Sequence, residues 1–205
     1  MSKGLLILVS APSGAGKTSL VAAALKNDEQ LVVSVSHTTR PQRPGEEDGV
    51  NYHFIEKDTF EQMIKDAAFL EHALVFGNHY GTSVAGVQAL REQGKDVVLE
   101  IDWQGGKQIM ARFPEAISIF VLPPSEAALQ ERLVNRGQDS QEVIERRLSE
   151  ARLEMSQAPN YRYIVVNDDF KLALADINAI VRTARLESER QVNDNANVRT
   201  ILSGS

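Results

Sequence analysis

The amino-acid sequence predicts an α/β fold in which helices flank a parallel sheet. Three observations carry that prediction. An apolar run, a glycine-containing loop and a helical segment follow one another over 5–26. Further short apolar runs then alternate with segments of helical period. Between the two, a stretch rich in proline and glycine breaks the rhythm. At 205 residues the chain fits one large domain, or one domain carrying an insertion.

The first strand is Leu5-Leu6-Ile7-Leu8-Val9, a continuous apolar run of the kind buried in a parallel sheet. It leads into Ala11-Pro12-Ser13-Gly14-Ala15-Gly16-Lys17-Thr18 and then a helix over 18–26. Strand, glycine loop and helix in that order are the context of a phosphate-binding loop. Gly14 and Gly16 let the backbone curl so that its N–H groups point inward, and the helix N-terminus adds partial positive charge. Lys17 reaches the outer phosphates of a nucleoside triphosphate. The Thr18 hydroxyl completes a Mg²⁺ shell otherwise made of water and phosphate oxygens. Ala11 stands where the first glycine is usual, a position that shapes only the loop's entry. The fold expected is therefore P-loop NTPase-like.

Along the chain, 31–35 is a plausible strand, and 97–101, 117–122 and 163–166 are clearer ones. Leu20, Val21, Ala24 and Leu25 share a helix face, as do Ile144, Leu148, Ala151 and Met155. Asp139 with Glu142 resembles a capping box opening the latter helix. A last helix is expected over 169–190, and the Asn-rich tail 191–205 reads as a frayed polar end. The core thus comprises 1–35 and 95–190. Residues 36–94 read as a small mixed α/β insertion with its own turns and short antiparallel strands.

The composition, 42% hydrophobic and 24% charged, is that of a soluble globular protein. A net charge of −6 argues against broad nucleic-acid binding. The absence of cysteine excludes disulfides and thiol chemistry and fits a reducing cytoplasm. Every apolar run is too short to span a bilayer. A soluble, cytoplasmic protein with no membrane partner is expected; a homo-oligomer is left open.

Within 36–94, Arg40 and Arg43 stand three apart in the loop Thr38-Thr39-Arg40-Pro41-Gln42-Arg43-Pro44-Gly45-Glu46. Guanidinium groups bind phosphate bidentately, and the prolines lower the cost of ordering the loop. Tyr52 and Tyr80 each offer a phenolic hydrogen bond. Taken alone, the same residues also suit a merely solvated loop. Farther on, Arg132, Arg136, Arg146 and Arg147 form an arginine-rich stretch around Gly137. Two helices joined by a short glycine loop there make a lid over about 125–158, able to bring arginines to a transferring phosphate. Asn167, at a strand's carboxyl end, is placed to contact a base.

These segments together resemble the guanylate kinase family. The run from Thr38 to Ile55 resembles the family's signature. Phe69-Leu70-Glu71-His72 and Gly77-Asn78-His79-Tyr80-Gly81-Thr82 resemble its guanine-side elements. Glu100-Ile101-Asp102-Trp103-Gln104-Gly105 resembles its strand-to-loop motif, and Val166-Asn167-Asp168-Asp169 its base-binding strand end. The resemblance covers about 4–190 and implies ATP + GMP ⇌ ADP + GDP with Mg²⁺. It implies that Ser36, Arg40, Arg43, Tyr52 and Tyr80 hold the GMP phosphate, and that Glu71, Thr82 and Asp102 read the guanine. Glu100 is assigned near Mg²⁺ or GMP; Arg132, Arg136 and Arg147 are the lid arginines, with Arg146 solvated. ATP is assigned to Ala11 through Thr18, with Asn167 at the adenine. Two rivals carry different expectations. A kinase for another nucleoside monophosphate lacks the carboxylate pair, and a non-catalytic scaffold of this fold loses parts of the ATP site.

Overall fold

The computed structural model describes residues 2–75, 77–134 and 141–204. In chain order its elements are β1 (Leu6–Ser10), α1 (Lys17–Asn27), β2 (Leu31–Val33), β3 (His37–Thr38), β4 (His53–Phe54), α2 (Lys57–Lys65), β5 (Phe69–Val75), β6 (Asn78–Ser83) and α3 (Val84–Glu92). There follow β7 (Asp96–Glu100), α4 (Trp103–Arg112), β8 (Ile117–Leu122), α5 (Glu126–Val134), α6 (Gln141–Met155), β9 (Tyr163–Val166), α7 (Phe170–Arg185), α8 (Ser188–Asp194) and α9 (Ala196–Ser203).

Five strands form one parallel sheet in the order β2-β7-β1-β8-β9. Alternation along β1 sends its side chains to opposite faces. Ile7 and Val9 join Leu20, Val21 and Ala24 of α1 and Ala173, Ile177 and Val181 of α7. Leu6 and Leu8 join Val87 of α3 and Ile109 of α4 on the other face. Both faces are thus covered, which is why the strands read as unbroken apolar runs. Each fully buried valine, leucine or isoleucine among them contributes roughly 1.5–3 kcal/mol. The α/β fold expected from the sequence is the one observed, with a parallel sheet flanked by helices.

Residues 37–83 build a second sheet, in the order β4-β3-β6-β5. It is mixed rather than purely antiparallel, because β3 and β4 run parallel while β3–β6 and β5–β6 are antiparallel. The proline- and glycine-rich loop between β3 and β4 is long enough to return the chain to the same end. A third, smaller apolar cluster joins Leu129 and Leu133 of α5 to Leu148 and Ala151 of α6. The expected cap at Asp139 lies outside the described residues, as does the side chain of Glu142.

The end of the chain departs from expectation in two ways. The helix anticipated over 169–190 stops at Arg185, where Leu186 N–H closes on the Thr183 carbonyl and Glu187 turns extended. The Gln191 side chain donates to the Arg185 carbonyl at 2.9 Å and so satisfies an acceptor the helix leaves open. The tail is helical instead of frayed. Asn195 caps α9 by accepting from the N–H groups of Asn197 and Val198, and this local capping needs no apolar periodicity. No described helix is long and apolar enough to cross a membrane.

Candidate active site

The carboxyl ends of β1, β7 and β9 lie at the same edge of the parallel sheet, the end at which a doubly wound sheet binds ligands. From β1 the chain enters the loop 11–16, where Gly14 and Gly16 both have φ of 93°. Gly16 is required twice over: a β-carbon there would meet the Asn167 side chain at 2.4 Å as well as occupy the left-handed region. Asn167, at the end of β9, donates its amide to the Ala15 carbonyl at 2.7 Å and braces the loop from behind. Arg132 on α5 donates to the Asn167 carbonyl at 3.1 Å, which carries an arginine to the same corner.

Lys17 and Thr18 open α1 at the loop's end. Lys17 Nζ donates to the Ile101 carbonyl at 3.3 Å. Burial lowers the pKa of its ammonium, against the pull of Glu100, Asp102, Glu154 and Glu71, which favour the charge. The Thr18 hydroxyl donates to Glu100 Oε2 at 3.0 Å. One hydroxyl and one carboxylate side by side are hard oxygen donors of the kind Mg²⁺ accepts, with its other positions left to water and phosphate. Among the described residues no cluster of three or more His, Cys, Asp or Glu could hold a metal unaided.

The second sheet presents Glu71 on β5 opposite Thr82 on β6. The Thr82 hydroxyl donates to Glu71 Oε1 at 2.5 Å, and the Ser36 hydroxyl lies 3.5 Å from that of Thr82. Glu71 is only 4% exposed. Burial, with Asp102 adding repulsion, pushes its pKa up to about 7. Asp102 caps α4, Oδ1 accepting from Gly105 N–H at 2.9 Å and Oδ2 from the Gln104 side chain at 3.1 Å. Gly105 separates the two carboxylates. Its missing β-carbon would stand 2.2 Å from Glu71 Oε2 and 3.4 Å from Asp102 Oδ1.

Beside this pair, Arg40 lies under the rings of Tyr52 and Phe54, its Cζ 5.5 and 5.6 Å from their centroids. The Tyr52 and Tyr80 rings meet edge-on at 5.9 Å. Burial raises the pKa of the Tyr52 phenol. Arg40 Nη2 donates to both oxygens of Glu46, at 2.7 and 3.0 Å, and Nη1 to the Pro41 carbonyl at 2.7 Å. The hydrogen bond from Arg40 holds Glu46 below the usual carboxylate range. Arg43 joins only through its backbone N–H, 2.8 Å from Glu46 Oε2, while its side chain is exposed. Arg147 is half-buried on α6. Arg146 faces solvent, 3.9 Å from Glu150. Arg136 lies outside the described residues.

A family model described as guanylate kinase matches residues 3–184. The chain belongs to the guanylate kinase family. A guanylate kinase of Alkalilimnicola ehrlichii is 59% identical over 188 residues, covering 92% of this chain and 93% of its own. One of Hahella chejuensis is 56% identical over 204 residues, covering 99% and 98%. The crystal structure of guanylate kinase from Anaplasma phagocytophilum superposes with a TM-score of 0.78 at 30% identity, covering 98% of this chain and 95% of that one.

Two site residues escaped the sequence reading of this guanylate kinase family member. Glu46, the partner of Arg40, was legible only as an acid six residues on in a proline-stiffened loop. Glu154 of α6 accepts from Ser13 N–H at 3.3 Å, and nothing in the local pattern of α6 announces a contact spanning 141 residues.

Proposed function

We propose that this chain transfers the γ-phosphoryl group of ATP to GMP, giving ADP and GDP. The observation that carries the reading is the carboxylate pair Glu71 and Asp102, facing each other across Gly105 within electrostatic range of the phosphate-loop lysine. Guanine offers N1–H and the 2-amino group as adjacent donors, which suit buried acceptors, whereas adenine offers no such pair.

On this reading residues 36–94 work as the GMP-binding insertion and 125–158 as a lid on the core of 1–35 and 95–190. Glu71, Thr82 and Asp102 read the base. Arg40, held from one side by Glu46, receives the GMP phosphate together with Tyr52, Tyr80, Ser36 and Arg43. The loop from Ala11 to Thr18 cradles the triphosphate, and Asn167 keeps that loop in shape beside the adenine. The attacking GMP oxygen is already anionic, so no general base is needed; alignment and neutralised charge suffice. Lys17 neutralises the β/γ region, and Arg132, Arg136 and Arg147 add charge as water is excluded. Thr18 and Glu100 would hold Mg²⁺, which when bound supplies charge neutralisation and in-line orientation. The medium inferred for this reaction is the cytoplasm.

A coupled assay with GMP and AMP as acceptors tests the reading. Each donor–acceptor mismatch costs about 1–3 kcal/mol, so two should favour GMP by about 30- to 10⁴-fold in kcat/KM. Equal use of AMP refutes it.

A further inference from the structure

Glu154 lies near the C-terminal end of α6, and its carboxylate turns toward the loop 11–16. It is half-buried, and at the solvent-facing rim of the loop Oε2 takes the backbone N–H of the exposed Ser13 at 3.3 Å. Even partial burial of a carboxylate is unfavourable unless something holds it. Here the holder is a distant loop rather than a neighbour on the same helix. The groups facing it are Lys17 on α1, Asp102 at the start of α4 and Glu150 on its own helix.

The packing of α6 does not need this contact. Leu148 and Ala151, with Met155 against them, already bury one face on α5, and Arg152 donates to Glu126 of α5 at 2.9 Å through Nε. Those interactions fix α6 to α5, and α5 meets the loop through Leu129 beside Gly14 and Arg132 on Asn167; Glu154 adds the contact made by the end of α6 itself. Arg147 precedes Glu154 by seven residues, two turns of helix, so both project from the same face on the order of 10 Å apart.

We propose that Glu154 is a positioning residue of the lid: by accepting the Ser13 amide it pins the end of α6 to the phosphate loop and so sets where Arg147 stands. This rests on reading Arg147 as a phosphate-neutralising arginine. Displacing a charge by about 1 Å from developing negative charge costs on the order of 10²-fold in rate, whereas the GMP side is built from other elements, of which Asp102 alone faces Glu154.

The test compares Glu154→Ala and Glu154→Gln in the full chain, with ATP, GMP and Mg²⁺, alongside melting temperatures. Alanine should lower kcat by about 10- to 100-fold and leave KM for GMP within about threefold of wild type. Glutamine keeps an oxygen that accepts from Ser13 N–H and should restore kcat to within about threefold. An alanine variant with wild-type kcat overturns the proposal, as does a glutamine variant as slow as alanine, because charge rather than the tether would then matter. An alanine variant that fails to fold overturns it too, since the contact would be holding the helix up rather than aiming it. Failure of the wild-type protein to phosphorylate GMP would instead refute the functional reading, whatever the variants do.

Discussion

Replacing Gly105 by alanine should disturb the proposed base reading by Glu71 and Asp102 and spare the nucleoside triphosphate side. The new β-carbon would stand 2.2 Å from Glu71 Oε2, where ordinary contact begins at 3.4 Å, so the carboxylate must retreat by about 1 Å. It has little room, being 4% exposed and already bound to Thr82 at 2.5 Å. Hydrogen bonds to a charged group are worth about 1.5–3 kcal/mol each. Weakening two of them to guanine should cost about 2–4 kcal/mol, which at 1.4 kcal/mol per decade raises KM for GMP by about 30- to 1000-fold. Stability should barely follow. Alanine is the better helix former by about 1 kcal/mol at this α4 position, offsetting part of the disturbed Thr82 contact. Steady-state kinetics with each nucleotide varied in turn, together with a thermal melt, measure both effects. A variant whose KM for GMP stays within about threefold of wild type would refute the placement of guanine against Glu71 and Asp102.

Lys17→Ala should cost on the order of 10²–10³ in kcat with an unchanged circular-dichroism spectrum, and near-normal turnover would sink the loop assignment. Asn167→Ala removes the donor to the buried Ala15 carbonyl and should raise KM for ATP by about tenfold while KM for GMP holds; an unchanged KM for ATP would show that the loop keeps its shape unaided. Because burial brings the Glu71 pKa to about 7, protonation removes an acceptor as pH falls. KM for GMP should therefore rise by about tenfold between pH 8 and pH 6, and Glu71→Gln should flatten that rise; a level wild-type profile would contradict it. On stability the same raised pKa has the opposite sense: the folded state favours neutral Glu71, so that contribution is present below 4.5 and is lost as pH rises through about 7.

The proposed phosphate loop could be picked out because its residues are contiguous: glycines, lysine and threonine fall within eight residues, and the flanking strand and helix are adjacent in sequence. The strands β1, β7 and β8 were legible because burial on both faces writes itself as a plain apolar run, and the edge strand β9 because Tyr163-Ile164-Val165-Val166 is apolar throughout although Ile164 and Val166 stay exposed. Glu71, Thr82 and Asp102 were reached through family resemblance, since no local pattern distinguishes a buried strand carboxylate from an exposed one. Glu46 and Glu154 act only through tertiary contacts that their own segments do not encode. The mixed pairing of β3 and β4 depends on where a 14-residue loop delivers the chain. The helical tail was missed because the decisive residue, Asn195, works by capping, and the apolar residues Ile201 and Leu202 stay exposed instead of marking a buried face.

The small cluster of Leu129, Leu133, Leu148 and Ala151 has one further consequence. It is separate from the two clusters that sandwich the main sheet, and its members come from α5 and α6 alone. Such a unit opens at a lower free energy than the body it sits on, and its amides exchange with solvent through local rather than global unfolding. Yet Leu129 and Leu133 also abut Gly14, which a β-carbon would bring within 3.0 Å of Leu129. Helices held together by a small cluster of their own therefore share a wall with the glycine loop 11–16. Anything that orders that loop borrows stability for α5 and α6. The rate at which the pair opens can drift under substitution while the melting of the sheet stays where it is.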